Sequence, residues 1–131
     1  MSALLAIALG AALGAPARAS LERVIGQRYD SGKFPIALSI INIAGSFFAG
    51  VVVTTTTGDL RLFLLVGVAG AFTTFSGWVQ AISMGYRLRR PRGWRPAITW
   101  ALLTGIGIMV VCVSAAWVGA AWVGTAIAQI T

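Results

Sequence analysis

Long apolar runs separated by short polar segments fill almost the whole sequence. The runs cover about residues 2–17, 34–53, 60–86 and 96–127. A helix that crosses a bilayer core about 30 Å thick needs roughly 20 apolar residues, so the pattern predicts four transmembrane helices. They would form one membrane domain, residues 1–131, in an all-α membrane protein with no soluble domain.

The third run contains an interruption of its own. Residues 67–77 read Gly-Val-Ala-Gly-Ala-Phe-Thr-Thr-Phe-Ser-Gly, a composition of low helix propensity placed at the middle of the span. Backbone groups that leave a helix at this depth need protein or a cavity to satisfy them. We therefore expect a helix break here, and a functional site at the break.

Composition and charge support the membrane assignment and limit the function. The 131 residues are 58% hydrophobic and 10% charged, whereas a soluble domain carries about a quarter charged residues. The net charge of +7 lies in segments between apolar runs, where it fits anionic lipid better than nucleic acid. The single cysteine, Cys112, excludes an internal disulfide, and the lack of histidine makes a metal cluster improbable.

The acidic residues argue against coupled transport and catalysis. Glu22, Asp30 and Asp59 are the only carboxylates, and all three fall between the predicted spans. Proton-coupled carriers, such as the small multidrug exporters of similar size, need an ionisable group inside the membrane. The sequence also contains no nucleophile–base pair, so we expect no enzyme.

Neutral polar residues are what the spans do contain. Asn42 is the most demanding of them, because a buried amide costs free energy unless it finds partners. It could bond across helices for packing alone, and serines and threonines often bond back to their own helix. The others are Ser39, Ser46, Thr73, Thr74, Ser76, Thr99, Thr104 and Ser114.

Three motifs in order make the sequence resemble the Fluc-type fluoride channels, the CrcB family. They are Gly10-x-x-x-Gly14-Ala15-x-x-Arg18, Asn42-x-x-Gly45-Ser46-Phe47 and Gly70-x-Phe72-Thr73-Thr74-Phe75-Ser76. The resemblance implies a passive channel that exports fluoride from the cytoplasm and relieves its toxicity. It also implies an antiparallel dimer with two narrow pores in the bacterial inner (plasma) membrane, surrounded by lipid.

The same resemblance implies roles for individual residues. Asn42 would line a pore, and Phe75 would turn a ring edge toward the anion. Arg18 would lie near a pore vestibule. The carbonyl groups of Gly70 and Thr73 would bind a structural Na⁺ at the dimer interface, which suits the preference of hard cations for oxygen ligands.

The sequence departs from the family pattern after Ser76, itself a predicted pore residue. Trp78 replaces a second phenylalanine, and the larger indole ring would narrow or block a pore. The acidic residue that the family places three positions later is replaced by Ala81. In the fourth span, Thr104 is the candidate pore residue.

Basic residues are unequally divided between the two sides of the membrane. Segments 18–33 and 87–95 share one side and hold nine of them, whereas the other side holds only Arg61. The positive-inside rule then predicts cytoplasmic basic loops and both termini outside. A fixed orientation suggests a heterodimer with an oppositely oriented homologue. The alternatives to the channel function are a non-conducting partner subunit and, less favoured without an intramembrane carboxylate, a small multidrug-type cation transporter.

We predict a single orientation for this chain in the cell membrane. A topology reporter fused after Thr131 should report an external C-terminus in nearly all molecules, because the loop charges favour one insertion over the other. Equal populations of the two orientations would contradict the prediction.

Overall fold

The computed structural model describes residues 2–29, 36–74, 77, 79 and 94–129, without the side chains of residues 94–98, 100 and 101. Regular structure within these residues is helical throughout. The elements are α1 (Ala3–Tyr29), α2 (Ile36–Thr55), α3 (Gly58–Arg61), a π-helical segment (Leu62–Ala69), α4 (Gly70–Phe72) and α5 (Trp94–Ala128). The prediction of an all-α chain is confirmed for this part of the molecule.

Three helices within the described ranges are long and apolar enough to cross a membrane. They are Ala3–Tyr29, Ile36–Thr55 and the Leu102–Ala128 portion of α5. These correspond to the first, second and fourth predicted spans. The third predicted span, residues 60–86, is described continuously only as far as Thr74, so much of it lies outside the described residues.

α1 continues past the predicted end of the first span near residue 17. Residues 18–29, which the sequence assigns to a polar connection, are helical, and Pro16 lies within the helix. Arg18 Nη1 lies 3.7 Å from Glu22 Oε2, one turn further along, and such pairs support a helix. At 1.5 Å per residue the helix is about 40 Å long and exceeds the bilayer core, so its polar end extends beyond the apolar region.

α2 ends in a turn rich in threonine. The hydroxyl groups of residues 54–56 donate to carbonyl groups of the preceding helical turn at 2.8–2.9 Å. Arg61 donates its Nε to the Thr56 carbonyl at 2.9 Å and its Nη2 to the Val53 carbonyl. The last carbonyls of a helix lack backbone donors, so the Arg61 side chain caps α2.

The third stretch of chain begins at Gly58, whose φ of 60° only glycine adopts without strain. It runs through α3, the π-helical segment and α4, where the helix ends at Phe72. Thr73 has φ −86° and ψ 146°, an extended conformation that does not continue the helix. This change of backbone geometry falls inside the run of residues 67–77.

Glycines allow the helices to pack with their backbones in contact. α2 packs along α5, and a Cβ atom added at Gly50 or Gly119 would overlap the carbonyl oxygen of Ala116 or Phe47, respectively. α1 packs in the same manner along the π-helical segment, where a Cβ atom at Gly10 would lie 2.8 Å from the Gly67 Cα. Small residues at such crossings are typical of membrane helices, which cannot rely on the hydrophobic effect to associate.

The apolar side chains that the helices do not bury face outward. Trp117 and Trp122 are 75% and 62% exposed, and leucine, isoleucine and valine side chains surround them along α5. A water-soluble protein rarely exposes an apolar surface of this extent. The arrangement fits a protein whose outer surface contacts lipid or another subunit, as the composition indicates.

We predict that Gly119→Ala destabilises the protein whereas Gly124→Ala on the same helix does not. The alanine methyl group at position 119 would overlap the Phe47 carbonyl, and overpacking of this kind costs about 1–3 kcal/mol. Nothing lies within 4 Å of a methyl group at position 124. Thermal unfolding in detergent measures both variants, and equal midpoints would contradict the predicted contact.

Candidate functional site

A pocket of about 190 Å³ lies where α2, α5 and the chain after α4 meet. It is partly open and lined by neutral residues: Asn42, Ser46, Thr73, Thr74, Ile108, Met109 and Cys112. Asn42 and Ser46 lie one helical turn apart on the same face of α2, and Gly45 is next to Ser46 in the sequence. A Cβ atom at Gly45 would lie 2.5 Å from Thr73 Cγ2, so only glycine lets the extended Thr73 approach α2 this closely.

The Asn42 carboxamide holds the backbone of Thr74 at two points. Its Oδ1 accepts a hydrogen bond from the Thr74 N–H at 2.8 Å, and its Nδ2 donates to the Thr74 carbonyl at 3.1 Å. Asn42 is only 8% exposed, so both bonds replace water that these groups have lost. The Nδ2 group carries a second hydrogen, which makes Asn42 a donor in the pocket wall as well.

Thr74 also caps the chain that follows it. Its Oγ1 accepts a hydrogen bond from the Gly77 N–H at 3.3 Å, and Gly77 and Val79 are helical. A threonine hydroxyl that accepts from the N–H three residues later is the usual arrangement at the start of a helix. Thr74 therefore lies after the end of α4 and caps the helical residues that follow.

These two hydrogen bonds divert the donors that an uninterrupted helix would use. In such a helix the Thr74 N–H would bond the Gly70 carbonyl, and the Gly77 N–H would bond the Thr73 carbonyl. Both N–H groups donate to side chains instead, to Asn42 Oδ1 and Thr74 Oγ1. The Ala69 carbonyl, in contrast, accepts from both the N–H and the Oγ1 of Thr73, each at 2.9 Å.

The N–H groups that would serve the Gly70 and Thr73 carbonyl oxygens in a continuous helix are thus bonded elsewhere. Gly70 is exposed in the chain. Backbone carbonyl oxygens are suitable ligands for a hard cation. Oxygen ligands at these two positions fit the Na⁺ that the resemblance implies.

Arg18 lies beside the same interruption from the α1 side. A Cβ atom added at Gly77 would lie 3.4 Å from Arg18 Nη1. The Arg18 Nε is buried and has no hydrogen-bond partner among the described residues, while the guanidinium reaches Glu22. The side chain is 28% exposed, so it places a positive charge close to the interruption without being enclosed.

The predicted site residues are therefore only partly assembled in the described structure. Asn42 and Thr73 line the pocket, Gly70 is in α4 before it, and Arg18 approaches from α1. Thr104 lies on α5 outside the residues that line the pocket. Phe75, Ser76 and Trp78 lie outside the described residues.

Sequence reasoning missed the wall that α5 contributes, namely Ile108, Met109 and Cys112. Ile108 and Cys112 come two turns and one turn before Ala116, just as Asn42 and Ser46 come before Gly50 on α2. Asn42 and Ser46 share the pocket with Ile108 and Cys112, and Gly50 contacts Ala116 further along, so the two helices run in the same direction in this register. The spacing was visible in the sequence, but the register follows only from the glycine contact.

The pocket has the chemistry of a site for a small ion or molecule bound without charge partners. Its described lining contains amide, hydroxyl and thiol groups and no charged side chain. The described residues also contain no cluster of three or more His, Cys, Asp or Glu side chains that could hold a metal. Helices of membrane-spanning length define a membrane protein, and the uncharged pocket with its few polar groups fits the transport or channel class.

Comparison with known proteins identifies the family within this class. Residues 5–120 match the family model described as CrcB-like protein, Camphor Resistance (CrcB). The match extends over most of the sequence, and the chain belongs to this family. It includes every residue of the pocket.

Several similar proteins carry the name fluoride-specific ion channel. FluC 1 of Leifsonia xyli subsp. xyli is 36% identical over 129 residues, which cover 95% of this chain and 88% of that protein. FluC of Opitutus terrae is 34% identical over 126 residues, 89% of each protein. FluC of Desulforapulum autotrophicum is 42% identical over 84 residues, 60% of this chain and 66% of that protein. These proteins are named as channels and not as enzymes.

We predict that Asn42→Leu lowers the free energy of unfolding by about 1–3 kcal/mol, because it leaves the half-buried N–H and C=O groups of Thr74 without the Asn42 partner. Ser46→Ala, one turn further along the same pocket wall, is the matched control and should cost clearly less. Chemical denaturation in mild detergent compares the two variants. A Leu variant as stable as the Ala variant would show that the Asn42 bonds contribute little.

Proposed function

We propose that the chain is a subunit of a fluoride-selective channel through which fluoride leaves the cytoplasm passively. The observation that carries the proposal is the similarity, over 89–95% of the chain, to proteins named fluoride-specific ion channels. The neutral polar pocket beside the interruption supports it. The name of these relatives favours neither a non-conducting subunit nor a multidrug-type cation transporter.

The physical demands of fluoride agree with the groups around the pocket. Fluoride holds its water tightly, so a pore must offer several hydrogen-bond donors in its place. The Asn42 amide and the Ser46 hydroxyl are such donors in the pocket wall, and neither is charged. A neutral site can bind an anion weakly enough to release it, which conduction requires.

Further pore residues of the proposal come from the family resemblance. Phe75 would direct the positive edge of its ring at the anion, and Ser76 would add a hydroxyl donor. Trp78 would restrict one pore, and Thr104 would extend the polar path along the fourth span. Arg18, which lies beside Gly77, would attract anions toward the interruption.

The assembly of the proposal is an antiparallel dimer with a Na⁺ at the subunit interface. Each chain would cross the plasma membrane four times, with the third span broken near Thr73. The freed carbonyls of Gly70 and Thr73 support a cation site at that break. The excess of basic residues in two loops supports one fixed orientation and a partner homologue inserted the other way round.

We predict that Asn42→Ala reduces fluoride flux by about tenfold or more. A hydrogen bond to a charged group contributes about 1.5–3 kcal/mol, and a factor of ten corresponds to about 1.4 kcal/mol. Ser114→Ala, an exposed position on α5, is the control and should conduct like the wild type. Fluoride efflux from liposomes measures all three proteins, with chloride as the comparison ion.

The efflux assay should be made with the chain alone and with a candidate partner of reversed loop charge. Fluoride efflux from the chain combined with its partner, reduced by Asn42→Ala, is the expected result. Robust efflux from the chain alone would keep the channel but reject the heterodimer. Absence of efflux from both preparations would support a non-conducting subunit. Flux that depends on a proton gradient would contradict the passive channel and support a carrier.

A further inference from the structure

Two side chains interrupt the helix at positions that free two particular carbonyl groups. Asn42 Oδ1 takes the N–H of Thr74, and Thr74 Oγ1 takes the N–H of Gly77. The carbonyls deprived of these donors, Gly70 and Thr73, are three residues apart and precede the two diverted N–H groups by four residues each. In both cases the N–H group four residues after the carbonyl, its usual helical donor, bonds a side-chain oxygen instead.

We infer that Asn42 and the Thr74 hydroxyl are positioning residues that hold the Gly70 and Thr73 carbonyl oxygens available to a hard cation. The inference rests on the proposed function, and adds to it the side chains on which the cation site depends. It also gives Asn42 a second role. The residue that offers a donor to the pocket also maintains the carbonyl geometry of the neighbouring backbone.

Burial shows that Asn42 acts on the cation site through the backbone. Asn42 is 8% exposed and both of its described hydrogen bonds are to Thr74, whereas Gly70 is exposed on the chain surface. The Asn42 side chain therefore reaches the Thr74 peptide groups and not the exposed oxygen. Without its Oδ1, the nearest helical acceptor for the Thr74 N–H is the Gly70 carbonyl.

For each positioning side chain, one substitution keeps the oxygen that accepts the diverted N–H group and another removes it. Thr74→Ser keeps the Oγ acceptor for the Gly77 N–H, and Thr74→Val removes it. Asn42→Asp keeps an oxygen acceptor for the Thr74 N–H but removes the Nδ2 donor to the Thr74 carbonyl, and Asn42→Ala removes both. Each pair of variants therefore separates the acceptor from the rest of the side chain.

The test measures the effect of Na⁺ on thermal unfolding of the purified channel, with its partner subunit where one is required. The midpoint is compared in NaCl and in N-methylglucamine chloride at equal ionic strength, because that organic cation is too large for a pair of carbonyls. A cation that binds only the folded protein raises the midpoint. Wild type, Thr74→Ser and Asn42→Asp should show the Na⁺-dependent rise, and Thr74→Val and Asn42→Ala should lose most of it.

Thr125→Val is the matched control for Thr74→Val, because the Thr125 hydroxyl donates back to the Trp122 carbonyl on its own helix, α5. It should keep the full Na⁺ effect. A full effect in Thr74→Val and Asn42→Ala would overturn the inference, and so would the absence of any Na⁺ effect in the wild type. If the Val and Ala variants do not fold, the Ser and Asp variants decide, since loss of the Na⁺ effect in both contradicts the positioning roles and its retention supports them.

Fluoride efflux from the same preparations distinguishes this inference from the proposed function. Wild-type efflux without a Na⁺ effect would reject the positioning roles and leave the channel in place. No wild-type efflux would reject the channel itself. Asn42→Asp should combine a retained Na⁺ effect with lost efflux, because a carboxylate offers the anion a charge and no donor.

Discussion

Backbone groups that leave helical geometry among apolar side chains must find new partners, and Asn42 provides them for Thr74. One carboxamide supplies the acceptor and the donor that this peptide needs, from a helix that is distant in the sequence. The pocket, the capped start of the following chain and the freed carbonyls of Gly70 and Thr73 all lie next to this pair of hydrogen bonds. Asn42 is only 8% exposed, so these bonds are largely shielded from water and the local fold depends on them.

Backbone contact between helices fixes where Asn42 can reach. Gly50 and Gly119 let α2 and α5 approach until carbonyl groups and glycine Cα atoms touch, and Gly45 admits Thr73 against α2. A larger residue at Gly50 or Gly119 would separate α2 from α5, and one at Gly45 would push Thr73 away from α2 and lengthen the hydrogen bonds to Thr74. The glycines are thus part of the site although they contribute no functional group to it.

Much of the fold could be predicted from run lengths alone, because the length and polarity of a membrane span are set by the bilayer. The end of α4 at Phe72 also falls within the glycine- and threonine-rich run that the sequence identifies. The helical continuation of α1 to Tyr29 was not predictable from hydropathy, since polar residues can form a helix or a loop. The partner of Asn42 and the contribution of Cys112 depend on helix register, which small residues encode only through contacts in three dimensions.

Arg61 illustrates a conflict between two tasks that one residue performs. It is the only basic residue on its side of the membrane in the predicted topology, and its side chain also caps the carbonyls of Val53 and Thr56. Losing it would sharpen the insertion preference of the chain while fraying the end of α2. Replacement of Arg61 is therefore an unfavourable way to strengthen the orientation preference. Additional arginines in the two loops that already carry basic residues would strengthen it without destabilising α2.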